Sequence, residues 1–264
     1  MVPTTIRMRE ENDDADPSDT RQTPALKLSG MYHALVEQLQ MADIAALTFE
    51  ERLGLLVDRE LTERDTRRLT TRLRQAKLRQ TACIEDIDYR HPRGLDKAVM
   101  TRLATCQWVR EHHNVLITGP TGIGKTWLGC ALGHKACREG LTALYLRLPR
   151  FLPELAIAKG DGRYGKVLTT LAKTDLLILD DWGLAPLGEE NRRDLLEIIE
   201  DRHDCRATLV TSQLPVEHWH EALGDPTLAD AILDRLVHNA YKLTLQGESM
   251  RKRQAQLTRG AIAE

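Results

Sequence analysis

Residues 115–126 read Val115-Leu-Ile-Thr-Gly-Pro-Thr-Gly-Ile-Gly-Lys-Thr126, and the fold turns on this stretch. Its first residues form a short apolar run that stops at a glycine, the mark of a buried strand. From Lys125 the spacing of apolar residues becomes helical as far as residue 138. Between strand and helix, Gly119, Pro120, Thr121, Gly122, Ile123, Gly124, Lys125 and Thr126 match GxxxxGK[ST]. A glycine-rich turn in that position lets successive backbone amides approach phosphate oxygens, and the helix N-terminus adds partial positive charge. These residues together with Trp127 are the expected binding set for ATP. Lys125 reaches the β and γ phosphates, and Thr126 offers its hydroxyl to Mg2+, a hard ion that takes few protein ligands.

A second apolar run, Leu176-Leu-Ile-Leu-Asp-Asp181, ends in two acids, the Walker B pattern. Buried parallel strands end at the carboxyl edge of their sheet, where ligands of open α/β folds bind. Asp180 is therefore expected beside the glycine-rich turn, holding magnesium through water, with Asp181 polarising the attacking water. A strand and two helices intervene between the two motifs, so another strand should separate the loop strand from the Asp180 strand. The whole pattern gives strands at 115–118, 142–146, 175–180, 207–212 and 241–245. Helices are expected at 96–111, 125–138, 149–158, 163–173, 189–203 and 227–238. This is an α/β fold with a parallel five-stranded sheet flanked by helices. The fourth strand ends in polar residues, of which Ser212 is the first candidate to face the site and Gln213 the second.

Ahead of this unit the composition changes. Residues 1–24 carry six acids, three arginines and little that could pack, and read as a flexible leader. Residues 25–80 have apolar residues at three- and four-residue spacing, with Thr48 and Glu51 forming a capping box, and predict a small all-helical N-terminal domain. Residues 81–95, with Pro92 and Gly94, read as a linker into the domain 96–264. Within residues 64–79 seven basic residues stand against one acid. On a helix, Arg64, Arg67, Arg68, Arg72, Arg74 and Arg79 share an arc of roughly 160 degrees opposite Leu69 and Leu73. That cationic face suits the phosphates of double-stranded DNA.

Composition narrows the function. The chain has 264 residues, a net charge of −2 and 42% hydrophobic residues, so any affinity for nucleic acid rests on local clustering. With 4% aromatic residues, a base-stacking single-strand platform is not expected. The five cysteines, at 83, 106, 130, 137 and 205, form no CxxC pair and are expected to be reduced thiols in a cytoplasm. The longest aliphatic run is far too short to span a bilayer, so no membrane partner is expected.

Taken in order, the phosphate loop, Leu176-Leu-Ile-Leu-Asp-Asp181, the Ser212-Gln213 strand end, Asp234-Arg235-Leu236 and Gly247-Glu-Ser-Met-Arg251 resemble the DnaC/IstB group of AAA+ ATPases. Within it, the arginine-rich helix, Ile84-Glu-Asp-Ile-Asp-Tyr-Arg-His-Pro-Arg-Gly-Leu95 and Val210-Thr-Ser-Gln-Leu-Pro-Val216 resemble the IstB-like helpers of IS21-type transposition. The alternative within the group is a DnaC-like loader of a replicative helicase. The resemblance implies a homo-oligomer with ATP sites between subunits, assembled on duplex DNA that it deforms and presents to a cognate transposase. Ser212 or Gln213 would then serve as the first sensor of the γ phosphate. Arg235 would act from the neighbouring subunit, and Arg251 would contact nucleotide as the second sensor. Two departures stand out: an aspartate, Asp181, where many AAA+ proteins have glutamate, and an ATPase domain without a full helical lid. Such a helper would be cytoplasmic and bacterial, associated with the nucleoid when bound.

Overall fold

The computed structural model describes residues 26–250. Contacts divide it into two compact units, Met1–Arg68 and Leu69–Glu264. The leader 1–24 lies outside the described residues.

In the first unit, helix α1 (Ser29–Gln40) leads through a 3-10 turn (Ile44–Ala46) to a long helix, α2 (Phe49–Ala76), whose last residues belong to the second unit. The capping box forms at the start of α2. The Thr48 amide donates to Glu51 Oε2 at 2.8 Å, and the Glu51 amide donates to Thr48 Oγ1 at 3.3 Å. Buried Glu60 on α2 caps the other helix, accepting from the amides of Gly30 at 2.7 Å and Met31 at 3.1 Å, both in the first turn of α1. Position 30 has to be glycine for this approach, since a Cβ there would lie 2.7 Å from the Glu60 Cα. Burial pushes the Glu60 carboxyl up, but Arg64 and the two amides outweigh it and hold the group below its ordinary range. Phe49, Leu53, Val57 and Leu61, at four-residue spacing along α2, are exposed.

The second unit is a parallel sheet of β1 (Asn114–Thr118), β2 (Ala143–Arg147), β3 (Leu176–Trp182), β4 (Ala207–Ser212) and β5 (Ala240–Thr244), in the order β2-β3-β4-β1-β5. As expected, one strand, β4, separates the loop strand β1 from β3. Alternation along the strands divides the core. Val115, Ile117, Ile178 and Leu209 face one cluster, where they meet α3 (Lys97–Ala104), α4 (Gln107–Arg110) and α5 (Lys125–Arg138). Leu116, Leu177, Leu179 and Val210 face the other, beneath α6 (Leu148–Gly160), α7 (Tyr164–Lys173), α8 (Glu189–Arg202), α9 (Trp219–Leu223) and α10 (Pro226–Val237). Leu69, Leu73 and Ala76, from the end of α2, pack on the first cluster.

Two expected elements differ. The helix expected over 96–111 is broken, because Cys106 takes a left-handed conformation (φ 56°) between α3 and α4. The strand expected over 175–180 runs on to Trp182 through a bulge against β4, with Asp181 at φ 64°. Aspartate is one of the few residues that accept this conformation, and the bulge offsets the pair of acids from the ladder at the sheet edge.

Candidate nucleotide site

The loop between β1 and α5 wraps tightly enough that its glycines are obligatory. Gly119 and Gly124 have φ of 144° and 102°, and a Cβ at Gly119 would lie 2.4 Å from the Leu245 carbonyl oxygen. Lys125 Nζ donates to the carbonyls of Gly119 at 2.6 Å and Pro120 at 2.9 Å, so its ammonium lies over the loop. A cavity of about 400 Å³ opens here, lined by Thr121, Gly122, Lys125, Thr126, Trp127 and Asp181 among others.

Asp180, 1% exposed, is the polar centre. The Thr126 hydroxyl donates to its two oxygens at 2.9 and 3.1 Å, the Tyr145 hydroxyl donates at 2.5 Å, and the Thr211 hydroxyl donates to Oδ1. A hydroxyl and a carboxylate side by side at the mouth of a phosphate loop form the hard oxygen donor set that suits Mg2+, so Thr126 and Asp180 fit that ion. Asp181 is less buried. Its Oδ2 accepts from Arg147 Nε at 2.5 Å, an ion pair formed across neighbouring strands because Arg147 registers opposite Asp180.

Ser212 does not face the site. It is fully buried, and its hydroxyl donates to the Trp182 carbonyl at 2.9 Å while accepting from the Leu214 amide at 3.0 Å. Side chains alternate along β4, so Thr211 and Gln213 emerge on the site's side instead. Gln213 Oε1 accepts from Thr121 of the phosphate loop at 2.7 Å. Between the two expected candidates, the second faces the loop.

Arg235 lies at the opposite sheet edge. Asn114, the first residue of β1, donates to the carbonyls of Arg235 at 3.1 Å and Leu236 at 3.2 Å, tying the end of α10 there. The Arg235 guanidinium donates to the Ala231 carbonyl at 2.8 Å and to Glu200 at 3.0 Å. Arg251 lies outside the described residues.

A family model described as IstB-like ATP binding protein matches residues 21–258. The chain belongs to this family. Two relatives bear it out. This IstB-like chain is 54% identical over 227 residues to the insertion sequence ATP-binding protein y4pL of Sinorhizobium fredii (86% of this chain, 93% of the relative). It is 56% identical over 191 residues to the ATP-binding protein of insertion sequence IS1162 from Pseudomonas fluorescens (72% of this chain, 83% of the relative). Among solved structures, a crystal structure of DnaI matches with a TM-score of 0.54 at 22% identity, covering 64% of this chain and 92% of that one. Fold and family together make the IstB-like chain an AAA+ ATPase.

The arginines expected to share one face of the IstB-like chain separate. Because α2 stops at Ala76 and Lys77 turns the backbone (φ 50°), Arg79 leaves the helix. Its guanidinium meets the Tyr145 hydroxyl, and that contact, with the charges of Asp180 and Asp181, holds its pKa above the usual value. Arg72 donates to the Cys137 carbonyl at 2.9 Å. Arg64 bonds to Glu60 at 2.6 Å, Arg67 lies 3.6 Å from Glu63, and Arg68 lies 3.4 Å from Asp65. Counting charge only from residue 64 onward overlooks the acids one turn before it.

Several residues of the site went unrecognised in the sequence. Arg93, in the expected linker, is 3% exposed and donates to the Ile123 carbonyl of the phosphate loop at 3.2 Å, while its buried Nε has no protein partner. Burial lowers its pKa. The linker also lines the cavity with Asp86 and Asp88, next to Gln80 just ahead of it, and an orphaned buried donor beside the loop fits an anionic ligand. Tyr145, Arg147 and Thr211 carry no motif. Thr211 was legible from the two-residue period of β4, whereas Tyr145 and Arg147 depend on strand register. Among the described residues no helix is long and apolar enough to cross a membrane.

Proposed function

We propose that this chain is the helper ATPase of an IS21-type insertion sequence, which oligomerises on duplex target DNA when ATP is bound, deforms it, and stimulates the cognate transposase. Arg235 carries the reading. It is tied to the first residue of β1, and the phosphate loop leaves the last, roughly 13 Å away along a five-residue strand. Arginine and loop at opposite edges serve one another between copies, so ATP occupancy and assembly become linked. A guanidinium from the adjacent protomer suits the charge that spreads over a migrating phosphoryl group.

Lys125 and the loop amides bind and orient the phosphates. Asp181, one oxygen held by Arg147, keeps the other to accept a proton from the attacking water. Thr126 and Asp180 would hold Mg2+, which would supply positive charge against the phosphates. Gln213, bonded to Thr121 of the loop, would sense the γ phosphate, and Arg251 would add a nucleotide contact. Residues 25–80 serve as the DNA-binding and assembly domain, 81–95 as linker and 96–264 as the ATPase domain. Arg64, Arg67, Arg68 and Arg74 are the phosphate contacts of the arginine-rich helix, with Arg72 and Arg79 engaged elsewhere. Work on chromosomal DNA would keep the protein in the bacterial cytoplasm, on the nucleoid when bound.

The test is electron microscopy and sedimentation of purified protein with duplex DNA, with and without a non-hydrolysable ATP analogue. Ordered assemblies that need nucleotide and vanish in Lys125→Ala are expected. Equal coating of DNA without nucleotide would overturn the proposal, and stable binding only to a hexameric helicase would point to a loader. Mixing Lys125→Ala with Arg235→Ala should restore part of the ATP turnover, and no restoration would remove Arg235 from the shared site.

A further inference from the structure

A chain of polar contacts runs from the end of the arginine-rich helix to Asp180, and nothing in the reaction so far uses it. Tyr145 stands on the edge strand β2, 8% exposed, with its hydroxyl donating to Asp180 Oδ2 at 2.5 Å. Beyond it lies Arg79, just past the turn at Lys77, whose guanidinium stands beside the same hydroxyl on a shared cavity wall. Both line a cavity of about 400 Å³ separate from the one at the phosphate loop.

We propose that Tyr145 and Arg79 are positioning residues for the magnesium site, Tyr145 holding the Asp180 carboxylate in its ligating orientation and Arg79 holding Tyr145. The assignment rests on the reading of Asp180 as a magnesium ligand. A carboxylate offers about four lone-pair directions. Hydroxyls of Thr126, Thr211 and Tyr145 occupy most of them, which leaves the remainder facing the loop. The last torsion of an aspartate is broad, so without the phenol the carboxylate is free to swing. A phenol has one proton to give. The positive charge of Arg79 beside the phenol oxygen favours that proton pointing to Asp180 instead of solvent. Partners of this kind, one bond removed from a metal, are typically worth about 10- to 100-fold in metal affinity.

The experiment titrates Mg2+ against binding of a fluorescent ATP analogue to the full-length protein, with thermal melting recorded in parallel. Tyr145→Phe, which keeps the ring, should raise the Mg2+ midpoint by about tenfold with little change in metal-free nucleotide binding. Arg79→Gln should raise it several-fold, and Arg79→Lys should recover part of the loss. Unchanged midpoints in Tyr145→Phe and Arg79→Gln, with a raised midpoint in Asp180→Asn, would overturn the proposal alone. An unchanged midpoint in Asp180→Asn would instead overturn the magnesium reading beneath it. If Tyr145→Phe melts early, Arg79→Gln, at an exposed position, decides the matter by itself.

Discussion

Asp180 and Asp181 adjoin in sequence yet have different surroundings. Asp180 is enclosed by hydroxyls that fix it, while Asp181, on the bulge, shares a charge with Arg147 and faces the cavity. Asp181→Asn should therefore lower ATP turnover by about 10²- to 10⁴-fold, as expected for loss of a general base, while nucleotide affinity measured by titration stays near wild type. At the end of β4, Ser212 turns inward while Thr211 meets Asp180. Ser212→Ala should destabilise the fold by about 1–3 kcal/mol, since it strands the Leu214 amide and the Trp182 carbonyl, with turnover preserved below the melting temperature. Thr211→Val should instead reduce turnover by about tenfold, beyond any loss of stability. Melting curves and steady-state ATPase assays on the same two preparations check both.

At the scale of elements, α1 and α2 are joined by one buried carboxylate. Glu60 caps the first turn of α1 and bonds to Arg64, and its folded pKa lies below the ordinary value of about 4.3. The stabilisation is therefore fully present above that pH and is lost as the pH falls through the lowered folded value. Glu60→Gln should lower the melting temperature at neutral pH, and the gap from wild type should narrow on acidification. A gap independent of pH would show that the carboxylate's charge is not what holds the helices. The capping box at Thr48 was legible because it is local: its residues are three apart on one turn. Glu60 meeting Gly30 was not, because no periodicity in either helix reports which turns of the two helices meet.

For the whole molecule, the proposed grip on DNA rests on the arginine-rich helix. Four arginines of α2, Arg64, Arg67, Arg68 and Arg74, are the phosphate contacts in this reading. The logarithmic salt slope for duplex binding should then be about −3.6 per bound protomer, against about −5 had all six served. Arg74→Gln should reduce the slope by about 0.9, and Arg79→Gln should leave it unchanged. Filter binding across a series of salt concentrations gives each slope, and an Arg79→Gln slope reduced as much as that of Arg74→Gln would return Arg79 to the DNA face.

The sequence by itself determined the parallel sheet, the phosphate loop, the Asp180-Asp181 pair and the strand between them. Each follows from contiguous residues whose local period or glycine content has a single physical reading, as does the loop helix Lys125–Arg138, whereas the full strand order came from the structure. Only the tertiary structure decided that Ser212 turns inward, that Arg93 reaches the loop, that Arg147 pairs with Asp181, and that Arg79 leaves its helix for Tyr145. Those outcomes depend on strand register, on a bulge and on a turn at a single lysine. Such long-range geometry comes from how apolar faces pack, and no short window of residues encodes it.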